Sequence, residues 1–69
     1  MMKLSPTQLK MLANVRDGHP HDAHCHGEAQ HGGATGTLAS LLRAGLLIQG
    51  HPGYAITARG RIELHLRNL

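Results

Sequence analysis

The sequence contains neither phenylalanine nor tryptophan, and Tyr54 is its single tyrosine. A hydrophobic core without large aromatic side chains must be built from leucine, isoleucine, valine and alanine. In a chain of 69 residues, such a core supports one small domain of modest stability, because a domain near this size buries only about 60% of the surface that its unfolded chain exposes. A large enclosed pocket is not expected, and we predict a protein that is not an enzyme.

Cysteine and long apolar runs are also scarce. Cys25 is the single cysteine, which excludes an internal disulfide and favours a reducing compartment. No run approaches the roughly 18 apolar residues that cross a bilayer, and the first residues contain no apolar core of a signal peptide. These absences predict a cytoplasmic protein that has no membrane partner.

Acidic residues are fewer than basic ones. The four Asp and Glu residues against seven Lys and Arg residues give a formal net charge of +3 with neutral histidines. Protonation of the seven histidines near their ordinary pKa of about 6.5 would raise that charge. The balance permits an anionic partner without requiring one.

The first helical pattern follows the segment SPTQ. Ser5 is a typical N-cap, and Gln8 stands where the second residue of a capping box belongs. Apolar residues then recur at helical spacing until Gly18, which is followed by His-Pro. The pattern predicts a helix over about residues 5–17.

The second half of the sequence predicts two more helices around a hairpin. Thr35 would cap a helix over about residues 35–44 that ends at Gly45. LLIQ and YAIT, separated by the turn segment GHPG, predict two strands within about residues 46–57. Thr57 would then cap a helix over about residues 58–68, and Gly60 would let that helix approach the hairpin closely.

The last helix carries an apolar stripe whose members share one face by spacing, namely Ile62, Leu66 and Leu69. Leu64 lies off this stripe, and we treat it as a candidate exposed contact for a second copy of the chain. The alternative is a single exposed leucine without a partner, which is common on monomers.

The order helix, helix, hairpin, helix resembles the winged helix-turn-helix family. The similarity centres on TLASLLRAGLLIQGHPGYAITARGRIEL, residues 37–64, where a helix ends in R-A-G-L-L and Y-x-I-T-x-x-G opens the last helix. The resemblance implies a mainly helical α+β fold of three helices, with a two-stranded wing before the last one, as a single domain over residues 1–69. The His- and Gly-rich connection, about residues 18–34, has room for a short helix of its own.

The resemblance also implies a function, which is non-enzymatic binding of double-stranded DNA by a transcriptional regulator or a phage-derived accessory protein. The second helix of the motif enters the major groove in this family, and the wing touches the flanking backbone. Carried over to this sequence, the DNA-facing positions are Thr35, Thr37, Ser40 and Arg43 on the helix, Gln49 and His51 in the wing, and Arg59 and Arg61 at the start of the last helix.

Two alternatives to a DNA-binding monomer follow from the charges. Arg43 is the one basic residue of the proposed recognition helix, so a single copy would bind DNA weakly, and a homodimer would multiply the phosphate contacts. The same scarcity fits a winged-helix module whose partner is another protein. Arg59 and Arg61 would then be ordinary solvated charges.

The segment HPHDAHCHGEAQH, residues 19–31, holds five of the seven histidines and the cysteine. Imidazole and thiolate are ligands for zinc, nickel or copper. A helical conformation would place His24, Glu28 and His31 on one face, with His21 and Cys25 as an adjacent pair. The spacing matches no known zinc finger, so a solvated connection is the alternative to a metal-responsive regulator.

Overall fold

The computed structural model of the protein describes residues 3–23, 28–50 and 53–69. Its elements follow the order α1 Pro6–Arg16, α2 Glu28–Arg43, β1 Leu47–Gln49, β2 Tyr54–Ile56 and α3 Ala58–Leu66. β1 and β2 form an antiparallel two-stranded sheet. The predicted fold class, mainly helical α+β with a hairpin before the last helix, is therefore confirmed.

The start of α1 contains the predicted capping box. The Ser5 hydroxyl accepts a hydrogen bond from the backbone N–H of Gln8 at 3.2 Å. The Gln8 side-chain oxygen accepts one in return from the N–H of Ser5 at 2.7 Å. Pro6 occupies the first helical turn, where its missing N–H costs nothing because that group would have no partner in the helix.

The start of α2 differs from the prediction. The helix begins at Glu28, so Thr35 lies within it instead of capping it, and residues 28–34 extend the same helix. The Thr37 hydroxyl donates to the carbonyl oxygen of Gly33 at 3.0 Å. Threonine can bond back to the preceding turn of a helix in this way. A threonine in this segment is therefore compatible with a helix interior as well as with an N-cap.

All three helices end in the same backbone motif. Each helix is followed by a residue with a positive φ angle. These residues are Gly18, Gly45 and Asn68, with φ values of 79°, 77° and 59°. After α2, the N–H of Leu46 donates to the carbonyl of Leu41 at 3.0 Å, which closes the turn and satisfies a carbonyl at the helix end. The chain can therefore reverse at Gly45 and enter β1.

The core lies where α1 and α2 meet the hairpin and α3. The register pairs Leu47 with Ile56 and Gln49 with Tyr54, so these residues share one face of the sheet. Leucine and methionine side chains from every helix and from β1 fill the core, namely Met11, Leu12, Leu38, Leu41, Leu46, Leu47 and Leu64.

Gly60 sets the position of α3, as predicted. A Cβ atom at this residue would lie 2.7 Å from Cγ1 of Ile56 and would also overlap the carbonyl oxygen of Leu46. Only a hydrogen atom fits in that space. The backbone of α3 therefore packs directly against the hairpin.

The orientation of α3 corrects the sequence-based expectation. Leu64 is only 1% exposed, whereas Ile62 and Leu66 are 57% and 50% exposed. The hypothesis that Leu64 is an exposed partner contact is wrong. Leu64 lies one helical turn after Gly60 and so shares its face. The close approach of the glycine turns that face inward and leaves Ile62 and Leu66 on the surface.

Candidate nucleic-acid interface

The DNA-facing positions predicted on α2 do not share one environment. Thr35 and Arg43 are exposed. Ser40 is half-buried, and its hydroxyl accepts a hydrogen bond from Nε2 of Gln8 in α1 at 3.0 Å. The Ser40 hydroxyl also donates to the carbonyl of Thr37 at 2.7 Å. The hydroxyl protons of Thr37 and Ser40 thus serve internal bonds, whereas the Arg43 side chain is exposed.

Thr57 joins the end of α2 to the start of α3. Its hydroxyl donates to the carbonyl of Gly45 at 2.8 Å and lies 3.1 Å from the carbonyl oxygen of Leu46. The same hydroxyl accepts the N–H of Gly60 at 3.0 Å and so caps α3. One side chain therefore fixes the two helix ends against each other.

Three arginines flank this junction. Arg43 precedes Gly45 by two residues, while Arg59 and Arg61 follow Thr57 in the first turn of α3. We call Arg43, Arg59 and Arg61 the junction arginines. All three are exposed, and within residues 3–23, 28–50 and 53–69 none of them forms an ion pair with another side chain.

Two other arginines are engaged by carboxylates. Arg67 forms an ion pair with the buried carboxylate of Glu63 at 2.7 Å. Arg16 contacts Asp17 with Nε at 2.9 Å and Nη2 at 3.2 Å. The hydrogen bonds from Arg16 lower the pKa of Asp17 below its ordinary value. These pairs neutralise acidic groups that would otherwise offset the charge of the junction arginines.

The hairpin contributes one described candidate. Gln49 is exposed at the end of β1, opposite Tyr54. His51, the other predicted wing contact, lies outside the described residues. The exposed side chain of Gln49 is free to approach a partner that lies beside the hairpin.

The predicted metal ligands are described only in part. His24 and Cys25 lie outside the described residues, as do the side chains of Glu28 and His31. His21 is half-buried, and its ring meets the Tyr54 ring edge to face, with centroids 5.3 Å apart and planes at 82°. In the part of the chain that the structure describes, no group of three or more His, Cys, Asp or Glu side chains is placed to hold a metal ion.

The spacing in the sequence predicts the apolar stripe of α3 but not its exposure. Spacing groups Ile62 with Leu66 and sets Leu64 on another face, and it does not show which of the two faces is buried. The spacing of Gly60 and Leu64 could have indicated the true inner face, since the expected close approach of Gly60 already required its own face to meet the hairpin.

Comparisons with known protein families, curated proteins and solved structures found no match to this chain. Among the described residues, no helix combines the length and the apolar character needed to cross a membrane.

Proposed function

We propose that this chain is a cytoplasmic, non-enzymatic DNA-binding protein whose junction arginines hold the phosphate backbone of a duplex. The observation that carries the proposal is the position of three exposed arginines, without acidic partners among the described residues, around one structural junction. A guanidinium group presents several donors in a fork that matches a phosphate group. Several exposed arginines near one junction therefore favour a polyanion over an isolated carboxylate.

The rigidity of the junction supports this role. Thr57 fixes the first turn of α3 to the turn after α2, so Arg43 and the pair Arg59 and Arg61 project from segments whose backbones are held together. Less conformational freedom of the backbone is lost on binding when that backbone is already ordered. The amino end of α3 also carries the positive end of the helix dipole, which favours phosphate.

Binding by a single copy is expected to be weak and to depend little on sequence. Besides the junction arginines, the exposed lysines and arginines of the described chain are Lys3 and Lys10. The number of available cations therefore stays below the roughly 6–10 phosphate contacts of a strongly salt-dependent protein. The hydroxyl protons of Thr37 and Ser40 are used internally. Base recognition by α2 is thus reduced, and phosphate contacts dominate the affinity.

The test measures anisotropy of a fluorescent mixed-sequence duplex between about 50 and 200 mM salt. Two variants with equal loss of charge are compared, R59Q/R61Q and K3Q/K10Q. If Arg59 and Arg61 each contact a phosphate group, R59Q/R61Q should reduce the slope of log affinity against log salt by about 2. K3Q/K10Q should change the slope by less, because Lys3 precedes α1 and Lys10 lies within it, so neither belongs to the segments that Thr57 joins.

Two outcomes would contradict the proposal. One is the lack of any duplex binding at low salt by chain that urea denaturation shows to be folded. The other is an equal loss in both double variants, since that result would mean that net charge acts without a defined site.

A further inference from the structure

The exposed face of α3 carries an apolar stripe that the fold leaves without a partner. We define the α3 stripe as Ile62 and Leu66 on the helix together with Leu69 just beyond its end, and these residues are 57%, 50% and 54% exposed. The opposite face of the helix is occupied, since Gly60 contacts the hairpin and Leu64 lies in the core. The helix is thus anchored by one face and presents the other.

Two hydrogen bonds to the backbone of Leu69 hold the end of the stripe in place. The N–H of Leu69 donates to the carbonyl of Leu64 at 3.0 Å. Nη1 of Arg16 donates to the main-chain oxygen of Leu69 at 2.7 Å. These bonds place Leu69 beside α1, where it lines a shallow groove of about 360 Å³ together with Pro6, Leu9, Lys10, Ala13 and Arg16. Leu69 therefore connects the α3 stripe with an apolar groove on α1.

The charges around this surface are positive. Arg59 lies three residues before Ile62 and hence close to the stripe, while Arg61 borders the other side of the exposed face. Lys10 lines the α1 groove. Arg16, which also lines it, is neutralised by Asp17. Glu63 points inward and pairs with Arg67. Among the described residues, Lys10, Arg59 and Arg61 are therefore the charged side chains around this surface that form no ion pair.

We propose that the α3 stripe and the α1 groove dock an acidic amphipathic helix of a partner protein. Such a helix lays apolar residues spaced i, i+3 or i+4, and i+7 into an apolar groove, and glutamates on its flanks meet Lys10, Arg59 and Arg61. Exposed ion pairs add little affinity, but complementary charge steers the encounter and selects the partner.

The same charges disfavour the other occupants. A second copy related by twofold symmetry would bring this rim against itself, and like charges in apposition cost binding energy. Duplex DNA would engage Arg59 and Arg61 and leave Ile62 and Leu66 in water. Neither partner satisfies the apolar stripe and its positive rim together.

The inference goes beyond the proposed DNA binding and predicts a link between the two. Arg59 and Arg61 belong to both surfaces, so a docked acidic helix and a duplex should compete for them. Docking itself is measured without DNA, so failure of one proposal is distinguishable from failure of the other.

The experiment titrates the full chain with a synthetic peptide of about 14 residues, four helical turns, that has leucines at helical spacing and glutamates elsewhere. Amide resonances report the binding. Shifts are expected along α3 and on the groove side of α1. Ile62→Glu and Leu66→Glu should each weaken binding about tenfold or more, as central contact residues do. R59Q/R61Q should weaken it less and flatten its salt dependence.

Ile48→Glu is the matched control, because Ile48 is 53% exposed but lies on β1 outside the stripe. It should leave the affinity unchanged, and urea denaturation of every variant checks that the chain is folded. The proposal is overturned by an equal effect of Ile48→Glu, by absence of peptide-induced shifts, or by equal binding of a peptide with lysines replacing the glutamates. It is also overturned if sedimentation reveals self-association that Ile62→Glu abolishes and the peptide does not displace, since a second copy then occupies the stripe.

Discussion

Gln8 of α1 donates a hydrogen bond from Nε2 to the hydroxyl oxygen of Ser40 in α2, over 3.0 Å. The same Gln8 side chain accepts the N–H of Ser5 through Oε1 at 2.7 Å. The amide therefore caps one helix with its oxygen and holds a second helix with its nitrogen. This double use explains why Ser40, expected to face DNA, lies half-buried against α1.

Replacing either partner of this bond should reduce stability. We expect Gln8→Ala and Ser40→Ala each to lower the free energy of unfolding by about 1–3 kcal/mol, because each change removes two hydrogen bonds with a usual net value of about 0.5–1.5 kcal/mol apiece. A double-mutant cycle by urea denaturation should give a coupling of at least about 0.5 kcal/mol. Thr7→Ala, at an exposed position of the same helix, serves as control. Additive effects of the two changes would mean that the bond contributes nothing.

Local patterns predicted most of the secondary structure because its determinants are neighbours in sequence. The capping box of Ser5 and Gln8, the turn at Gly45 and the cap at Thr57 each depend on residues within a few positions of one another. These features could be recognised without knowledge of the packing. The same holds for the hairpin, whose strands are adjacent in the chain.

The faces of the helices could not be predicted as well, because they depend on distant contacts. Ser40 is turned toward α1 by a residue 32 positions away, and α3 is turned by the contact of Gly60 with Leu46 and Ile56. Spacing identifies a stripe but not the side on which the rest of the molecule packs. The exposure of Arg43, which lies at a helix end, was therefore predicted better than that of Ser40.

The close packing of Gly60 can be tested against another helical glycine. Gly60→Ala should destabilise the protein by about 1–3 kcal/mol, because the added methyl group overlaps Leu46 and Ile56 and forces α3 away from the hairpin. Gly36→Ala is the matched control, since its added methyl group would meet no atom within 4 Å. In α2 that change should stabilise the chain by about 0.5–1 kcal/mol. Thermal denaturation measures both, and equal effects would contradict the packing.

The two faces of α3 predict opposite responses to truncation. Leu64→Ala should lower the free energy of unfolding by about 2–5 kcal/mol, because the side chain of Leu64 is fully buried and its removal leaves a cavity in the core. Ile62→Ala, on the exposed face, should change stability by no more than about 0.5 kcal/mol. Urea denaturation compares the two variants. A larger cost for Ile62→Ala would restore the orientation that spacing alone suggests.

The ion pair of Asp17 with Arg16 predicts a small dependence of stability on acid. Because the hydrogen bonds from Arg16 lower the pKa of Asp17 in the folded chain, its contribution is present above the unfolded pKa of about 3.9. That contribution is lost as the pH falls through the lower folded pKa. The difference in urea midpoint between the wild type and Asp17→Asn should therefore shrink in acid. A difference that stays constant from neutral pH to pH values below the folded pKa would rule out the pair as its source.

Thr57 is expected to influence both stability and DNA binding, because its hydroxyl caps α3 and holds the turn after α2. Thr57→Val keeps the shape but removes the hydroxyl, so it should lower the free energy of unfolding by about 0.5–2 kcal/mol. It should also weaken duplex binding, since the segments carrying Arg43 and Arg59 lose the hydrogen bond that the hydroxyl makes between them. Thr57→Ser keeps the hydroxyl and should restore both properties for the most part. If Thr57→Val is destabilised but binds duplex as tightly as wild type while folded, the junction does not organise the arginines, and their charge alone accounts for the affinity.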